Sequence, residues 1–227
     1  MANPECVQQD IVVTAGGTRE PIDDVRFVGN FSAGRLGLAI ADEMAQMGRR
    51  VLCLAPQESI DRFGDSDLVT YDTFTTAASL EDKLLSIESA NVVVHSAAVA
   101  DYAPVREPGK IRSDQAELAV RMQRTQKILA ALRHHFGPHS TLIGFKLLSG
   151  VEEDELVEVA HKQLRDNDLD MTVANDLQKL GKEQRRVIMV QRQKEVPVEA
   201  PNDRVASVLA CEIDLLSAKK WLANGRI

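Results

Sequence analysis

Five short runs rich in β-branched residues, IVVTA from Ile11, VLCLA from Val51, NVVVHSA from Asn91, TLIGFK from Thr141 and MTVAND from Met171, alternate with longer stretches of helical period. This alternation constrains the fold most, because a strand that returns through a crossover helix pairs in parallel with its neighbour. The intervening stretches are RLGLAIADEMAQMG from Arg35, AASLEDKLLSIESA from Ala77, TQKILAALRHHFG from Thr125 and EEDELVEVAHKQLRDN from Glu152. Each places apolar residues three and four apart, which gives a helix one buried face. Gly48 and Gly137 follow two of them where a helix-ending glycine belongs. The expected fold is α/β, a Rossmann-like doubly wound and mostly parallel sheet.

Two segments depart from the alternation. RRVIMVQR and EVPVEA read as an antiparallel pair around Gln193-Lys194, followed by a last helix that starts near Asn202-Asp203. Tyr102 to Gln123, with Pro104, Pro108 and Gly109, fits no crossover helix and reads as an excursion: a loop plus a strand, AELAVRMQ. No repeat, low-complexity tract or linker interrupts the chain, so residues 1–227 are expected to form a single domain.

Composition removes several functions. A net charge of -7 and only 4% aromatic residues argue against a nucleic-acid or anionic-membrane surface. Cys6, Cys53 and Cys211 lie far apart, without metal-ligand spacing. The start, MANPECVQQD, has no signal-peptide pattern, and no apolar run approaches the ~18 residues of a membrane span. A cytoplasmic protein with reduced thiols is expected, one that meets anionic ligands locally.

In open α/β sheets ligands bind beyond the carboxyl ends of the strands. Four pieces fall there: the loop from Gly16 to Arg35, His95 to Asp101, Phe145-Lys146 and Asn175-Asp176. Gly16 and Gly17 permit close backbone approach, and Ser32, Ala33 and Gly34 offer a helix N-terminus suited to phosphate. A tight turn with a serine cap accounts for the glycines equally well. The polar content between them, Thr18, Arg19, Asp23, Arg26 and Asn30, exceeds what a connector needs. Neither G-x-G-x-x-G nor G-x-x-x-x-G-K-[ST] is present, and no acid follows VLCLA to hold a ribose. This weakens an NAD(P)-binding oxidoreductase, which remains one alternative; a non-catalytic nucleotide-binding subunit is another.

TAGGTREPIDDVRFVGNFSAGRLG, HSAAVADYAP, GKIRS, IGFKL and VAND occur in the order and at about the spacing found in phosphopantothenoylcysteine synthetase, and the chain resembles that family from Ile11 to the final helix. The resemblance is to the stand-alone form, without the flavin-dependent decarboxylase domain and so without flavin. It implies a ligase of coenzyme A biosynthesis that joins 4′-phosphopantothenate to L-cysteine through an acyl-nucleotidylate. The cosubstrate would be CTP or ATP, with CTP favoured, accompanied by Mg2+. A homodimer is implied, with the excursion of loop plus strand used for dimerisation, as is a separate phosphopantothenoylcysteine decarboxylase as pathway partner.

Roles carry over residue by residue. Lys110 matches the leading lysine of a loop that contacts the nucleotide phosphates; Ile111 is kept, but Arg112 and Ser113 replace the later lysines. Asn30 matches the asparagine that closes over the substrate carboxylate. Gly16, Gly17, Ser32, Gly34, Ala97 and Asp101 would hold nucleotide, with Phe145 at the base-binding wall and Lys162 on a helix facing it; one turn on, Asp166 stands where a second lysine is usual. Arg35, Ala97 and Ala98 would join Asn30 against the substrate, and Asn175 would read the base edge or merely end its strand. The unaided readings stay beside these: Lys110 and Lys162 as solvated lysines, Asn30 as a turn residue and Asp101 as a strand-end cap. The five histidines form no spaced metal set, and Asp168, Asp170 and Asp176 read as solvated strand-end acids.

Overall fold

In a computed structural model, residues 9–114, 116–179 and 184–223 are described. The first strand, β1 (Gln9–Thr14), runs up the middle of the sheet and gives way to a small hairpin, β2 (Arg19–Pro21) and β3 (Phe27–Gly29). Then come α1 (Arg35–Gln46), β4 (Val51–Ala55), α2 (Gln57–Phe63), β5 (Val69–Thr73), α3 (Ala77–Ser86) and β6 (Ala90–His95). A second small ribbon follows, β7 (Tyr102–Pro104) with β8 (Met122–Arg124). The chain continues through α4 (Ile128–Phe136), β9 (Thr141–Leu148), α5 (Glu153–Asp166), β10 (Met171–Asp176), β11 (Gln184–Gln191), β12 (Lys194–Pro201) and α6 (Asn202–Ala223).

Eight strands form the main sheet in the order β5-β4-β1-β6-β9-β10-β11-β12. Pairing from β5 to β10 is parallel, and β11 and β12 add an antiparallel edge. The order reverses between β1 and β6, so the loops after these strands diverge there and leave a crevice. The expected doubly wound architecture is therefore present.

Side-chain alternation sorts the core into two layers. Ile11, Val13, Ile143, Met171, Val173, Val187 and Met189 pack with α1 and α6 on one face. Val12, Leu54, Val93 and Leu142 meet α3, α4 and Leu164 of α5 on the other. Leu38, Ile40, Met44, Leu80, Leu84 and Leu132 are at most 1% exposed. Burying each such side chain contributes about 1.5–3 kcal/mol, enough to fix the strand ends from which the site loops spring.

Three expectations are corrected. AELAVRMQ does not form a strand along its length: only Met122–Arg124 pairs, antiparallel to Tyr102–Pro104. The first helix begins at Arg35, as its helical period predicts, but its N-cap is Gly34 in the left-handed region at φ 78° rather than a serine. The turn of the last hairpin is Arg192-Gln193, and Lys194 already pairs with Gln191. Gly48 and Gly137 end their helices with positive φ, as expected. Cys6 lies outside the described residues. Among those described, no helix is long and apolar enough to cross a membrane.

Candidate functional site

At the crevice the loops after β1 and β6 zip together. Gly17 bridges Ala98 in parallel fashion; the Ala98 amide donates to the Gly16 carbonyl at 2.8 Å and the Thr18 amide to the Ala98 carbonyl at 3.2 Å. Thr18, fully buried, accepts the Ala100 amide on its hydroxyl at 3.0 Å. These bonds extend the pairing of the two strands beyond the sheet, so the loops hold a fixed shape.

Asn30 reaches into this zipper from the end of β3. Its Nδ2 donates to the Val99 carbonyl at 3.2 Å and lies 3.5 Å from that of Ala98. Close packing here demands glycine. A Cβ on Gly17 would stand 2.7 Å from the Asn30 carbonyl oxygen, and one on Gly34 would stand 2.9 Å from the Gly16 amide nitrogen. The glycines are thus explained by backbone contact between the two ends of the loop, a reason beyond turn geometry.

Below the zipper sits a buried polar pair. The Ala97 amide donates to Thr14 Oγ1 at 3.1 Å, and that oxygen is 3.0 Å from His95 Nδ1. The hydroxyl and the ring nitrogen thus satisfy each other within the interior. Burial pushes the His95 pKa down from 6.5 to about 4. The ring is therefore neutral at physiological pH and serves as a structural support.

The hairpin β2–β3 is held at both ends. Glu20, 4% exposed, accepts the Ala77 amide at the start of α3 at 2.8 Å. Asp23, 2% exposed, receives the Val25 and Arg26 amides at 2.9 and 2.8 Å, the Arg26 guanidinium, and the Ile111 amide at 3.0 Å. Arg26 also donates to the Ile111 carbonyl at 2.9 Å, and the Asp24 amide to that of Gly109 at 3.0 Å. The guanidinium first, then the converging amides, hold the Asp23 carboxyl well below the usual carboxylate range despite its burial. Lys110, exposed, lies between the residues this latch grips. Asp23 thereby joins the segment carrying Asn30 to the segment carrying Lys110.

The remaining expected residues divide. Ala97 and Ala98 line the zipper, but their amides are already spent on Thr14 and Gly16. Asp101 is exposed and pairs with Lys127. Its carbonyl receives the Thr125 amide at 3.0 Å. Ser32 is half-buried, its amide on the Asn30 carbonyl at 2.9 Å. Arg35 lies over the Phe63 ring, 4.8 Å from its centroid. Phe145 is half-buried within β9, which continues to Leu148, on the face shared with α1 and α6. Lys162 faces solvent and pairs with Asp166 at 2.6 Å; its neighbour Gln163 reaches the Phe145 carbonyl at 3.2 Å.

Asp168 and Asp170 sit at the opposite edge from Asp176. Asp170 binds Arg133 and Lys220, while Asp176 accepts the amides of Gly150, Val151 and Gln178. Asp170 and Asp176 are structural braces rather than solvated acids. Among the described residues, no group of three or more His, Cys, Asp or Glu is placed to hold a metal.

The family model for the DNA/pantothenate metabolism flavoprotein C-terminal domain matches residues 6–215. The chain belongs to this family. It is 33% identical over 183 residues to the coenzyme A biosynthesis bifunctional protein CoaBC of Thermococcus kodakarensis, covering 80% of this chain and 45% of that protein. It thus spans less than half the length of this relative. The structure of the DNA/pantothenate metabolism flavoprotein from Streptococcus pneumoniae superposes with TM-score 0.83 at 29% identity, over 91% of this chain and 99% of that one. Cab2 H337A, solved with phosphopantothenate-cysteine, shares the fold at TM-score 0.78 over 96% of this chain and 89% of that one, with 20% identity. The family resemblance read from the motifs is borne out.

Proposed function

We propose that this chain joins 4′-phosphopantothenate to L-cysteine at the expense of a nucleoside triphosphate. The observation that carries the reading is the coupling of Asn30 and Lys110: one is docked on the zipper between β1 and β6, the other is latched to the same hairpin by Asp23. A carboxylate and a triphosphate brought together at this crevice would meet both.

In the first step a carboxylate oxygen of phosphopantothenate attacks the α-phosphorus; the bond from that phosphorus to the bridging oxygen breaks and pyrophosphate leaves. Lys110 supplies positive charge to the phosphates as negative charge develops on the leaving oxygens. In the second step the cysteine amine attacks the acyl carbon, loses a proton, and the nucleoside monophosphate departs with the carboxylate oxygen. Asn30 holds the activated carbonyl, for which its amide can exchange the Val99 carbonyl it now contacts. Mg2+ would accompany the triphosphate and shield the phosphate charge.

CTP is the favoured nucleotide, read against Phe145 and Asn175. Two copies of the chain are proposed to pair through the exposed apolar residues of the flap and ribbon, Val25, Phe27, Phe31, Tyr102 and Met122. The reaction requires no flavin in this chain, and a separate decarboxylase would consume the product. Pyrophosphate release with phosphopantothenate, L-cysteine and Mg2+ tests the reading, with CTP and ATP supplied separately. Release that requires phosphopantothenate and is faster with CTP is expected; silence with both nucleotides would turn attention to the nucleotide-binding alternatives.

A further inference from the structure

Arg185, at the start of β11, has a buried Nε with no hydrogen-bond partner among the described residues. Guanidiniums in this position normally face a carboxylate. Here none of the ion pairs among the described residues involves Arg185; burial first, and then the like charge of Arg35, lower its pKa. Arg35 likewise has no carboxylate partner among the described residues and lies over the Phe63 ring. Two cations within each other's field, one with a desolvated donor, form an arrangement that costs free energy unless an anion joins them.

The strand register says where that anion would sit. Val187 and Met189 face α1 and α6, so Arg185, two residues before Val187, faces the same way, about 7 Å nearer the carboxyl edge. On the adjoining strands Phe145 shares this face, and so does Asn175, two residues beyond Val173. Arg35 opens α1 on the same side, after an N-cap that makes no side-chain hydrogen bond. An aromatic ring, an amide, an uncapped helix start and two guanidiniums without a carboxylate partner among the described residues thus share one face of the carboxyl edge.

We infer that Arg185 and Arg35 form a seat for a phosphoryl anion beside Phe145 and Asn175. The inference rests on the ligase reading for its ligand, and that reaction brings two sources of phosphoryl groups: the nucleotide's phosphate chain and the 4′-phosphate of the pantothenate substrate. Both present oxygens that a guanidinium binds in bidentate fashion.

Titration calorimetry on the full chain separates the sources, with inorganic pyrophosphate and 4′-phosphopantothenate as probes. Arg185→Met should weaken one of the two by about ten- to hundredfold, the span of one charged hydrogen bond, and Arg185→Lys by less. Loss of pyrophosphate affinity assigns the seat to the nucleotide chain; loss of phosphopantothenate affinity assigns it to the substrate phosphate. Arg185→Lys keeps the charge and serves if the methionine variant melts early. Affinities within twofold of wild type for both probes in both variants would overturn the seat, as would a wild type that binds neither. Binding needs no turnover, so the two readings fail separately. A chain that binds pyrophosphate through Arg185 yet makes no phosphopantothenoylcysteine would retire the ligase and keep the seat; a working ligase indifferent to Arg185 would do the reverse.

Discussion

Asn30 and Lys110 are assigned different steps, and their variants should separate. Lys110→Ala should depress formation of the acyl-nucleotidylate, which pyrophosphate release in a single turnover measures, by about tenfold or more, as expected for one lost charge contact to phosphate. Asn30→Asp should leave that burst largely intact and slow capture by cysteine, so that the intermediate accumulates in quenched samples. Equal loss of the burst in both variants would contradict the division. His95 adds a pH signature. Its folded pKa, depressed to about 4, lies below the ordinary 6.5, so the unfolded state binds more protons between these values and stability falls as pH falls. Urea unfolding of wild type should lose about 3 kcal/mol from pH 7 to pH 4 relative to His95→Gln. Parallel profiles for the two proteins would mean that the ring is solvated.

Among the elements, the hairpin β2–β3 and the loop around Lys110 behave as one unit because Asp23 accepts donors from both. Asp23→Asn, which removes the charge that holds Arg26, should free the loop: cleavage by trypsin at Lys110 should quicken and kcat/KM fall at least about tenfold. Unchanged cleavage with full activity would dissolve the latch. Asp23 was visible beforehand only as one polar residue in a long loop, because a latch between residues 23 and 111 is a contact in space that spacing does not encode. The strands and helices that bury a full face were legible, since β-branched runs and three-four spacing report burial directly. QESIDRF and VTYDT were missed: α2 has a single buried residue, Ser59, and β5 is an edge strand with mixed exposure. AELAVRMQ alternates as a strand should, yet only its end finds a partner, in β7. On α5, Lys162 faces solvent beside Asp166, and its neighbour Gln163 reaches the Phe145 carbonyl. One position is 100° around a helix, so the two side chains leave α5 in different directions.

For the whole molecule, the order β5-β4-β1-β6-β9-β10 accounts for why residues as distant as 17 and 98 meet. The exposed Val25, Phe27 and Phe31 all lie on the flap that carries Asn30, so pairing of two copies there would bear on the site itself. Light scattering at micromolar concentration should report a dimer, and Val25→Glu combined with Phe31→Glu should give a monomer with lowered activity; a wild type that stays monomeric would remove the proposed pairing. The central claim is that the substrate carboxylate attacks the α-phosphorus, and the position of one oxygen tests it most directly. With phosphopantothenate labelled by heavy oxygen in its carboxylate, turnover with cysteine should place one labelled oxygen in the released nucleoside monophosphate. Label found instead in inorganic phosphate, or retained wholly in the amide product and solvent, would contradict the acyl-nucleotidylate account.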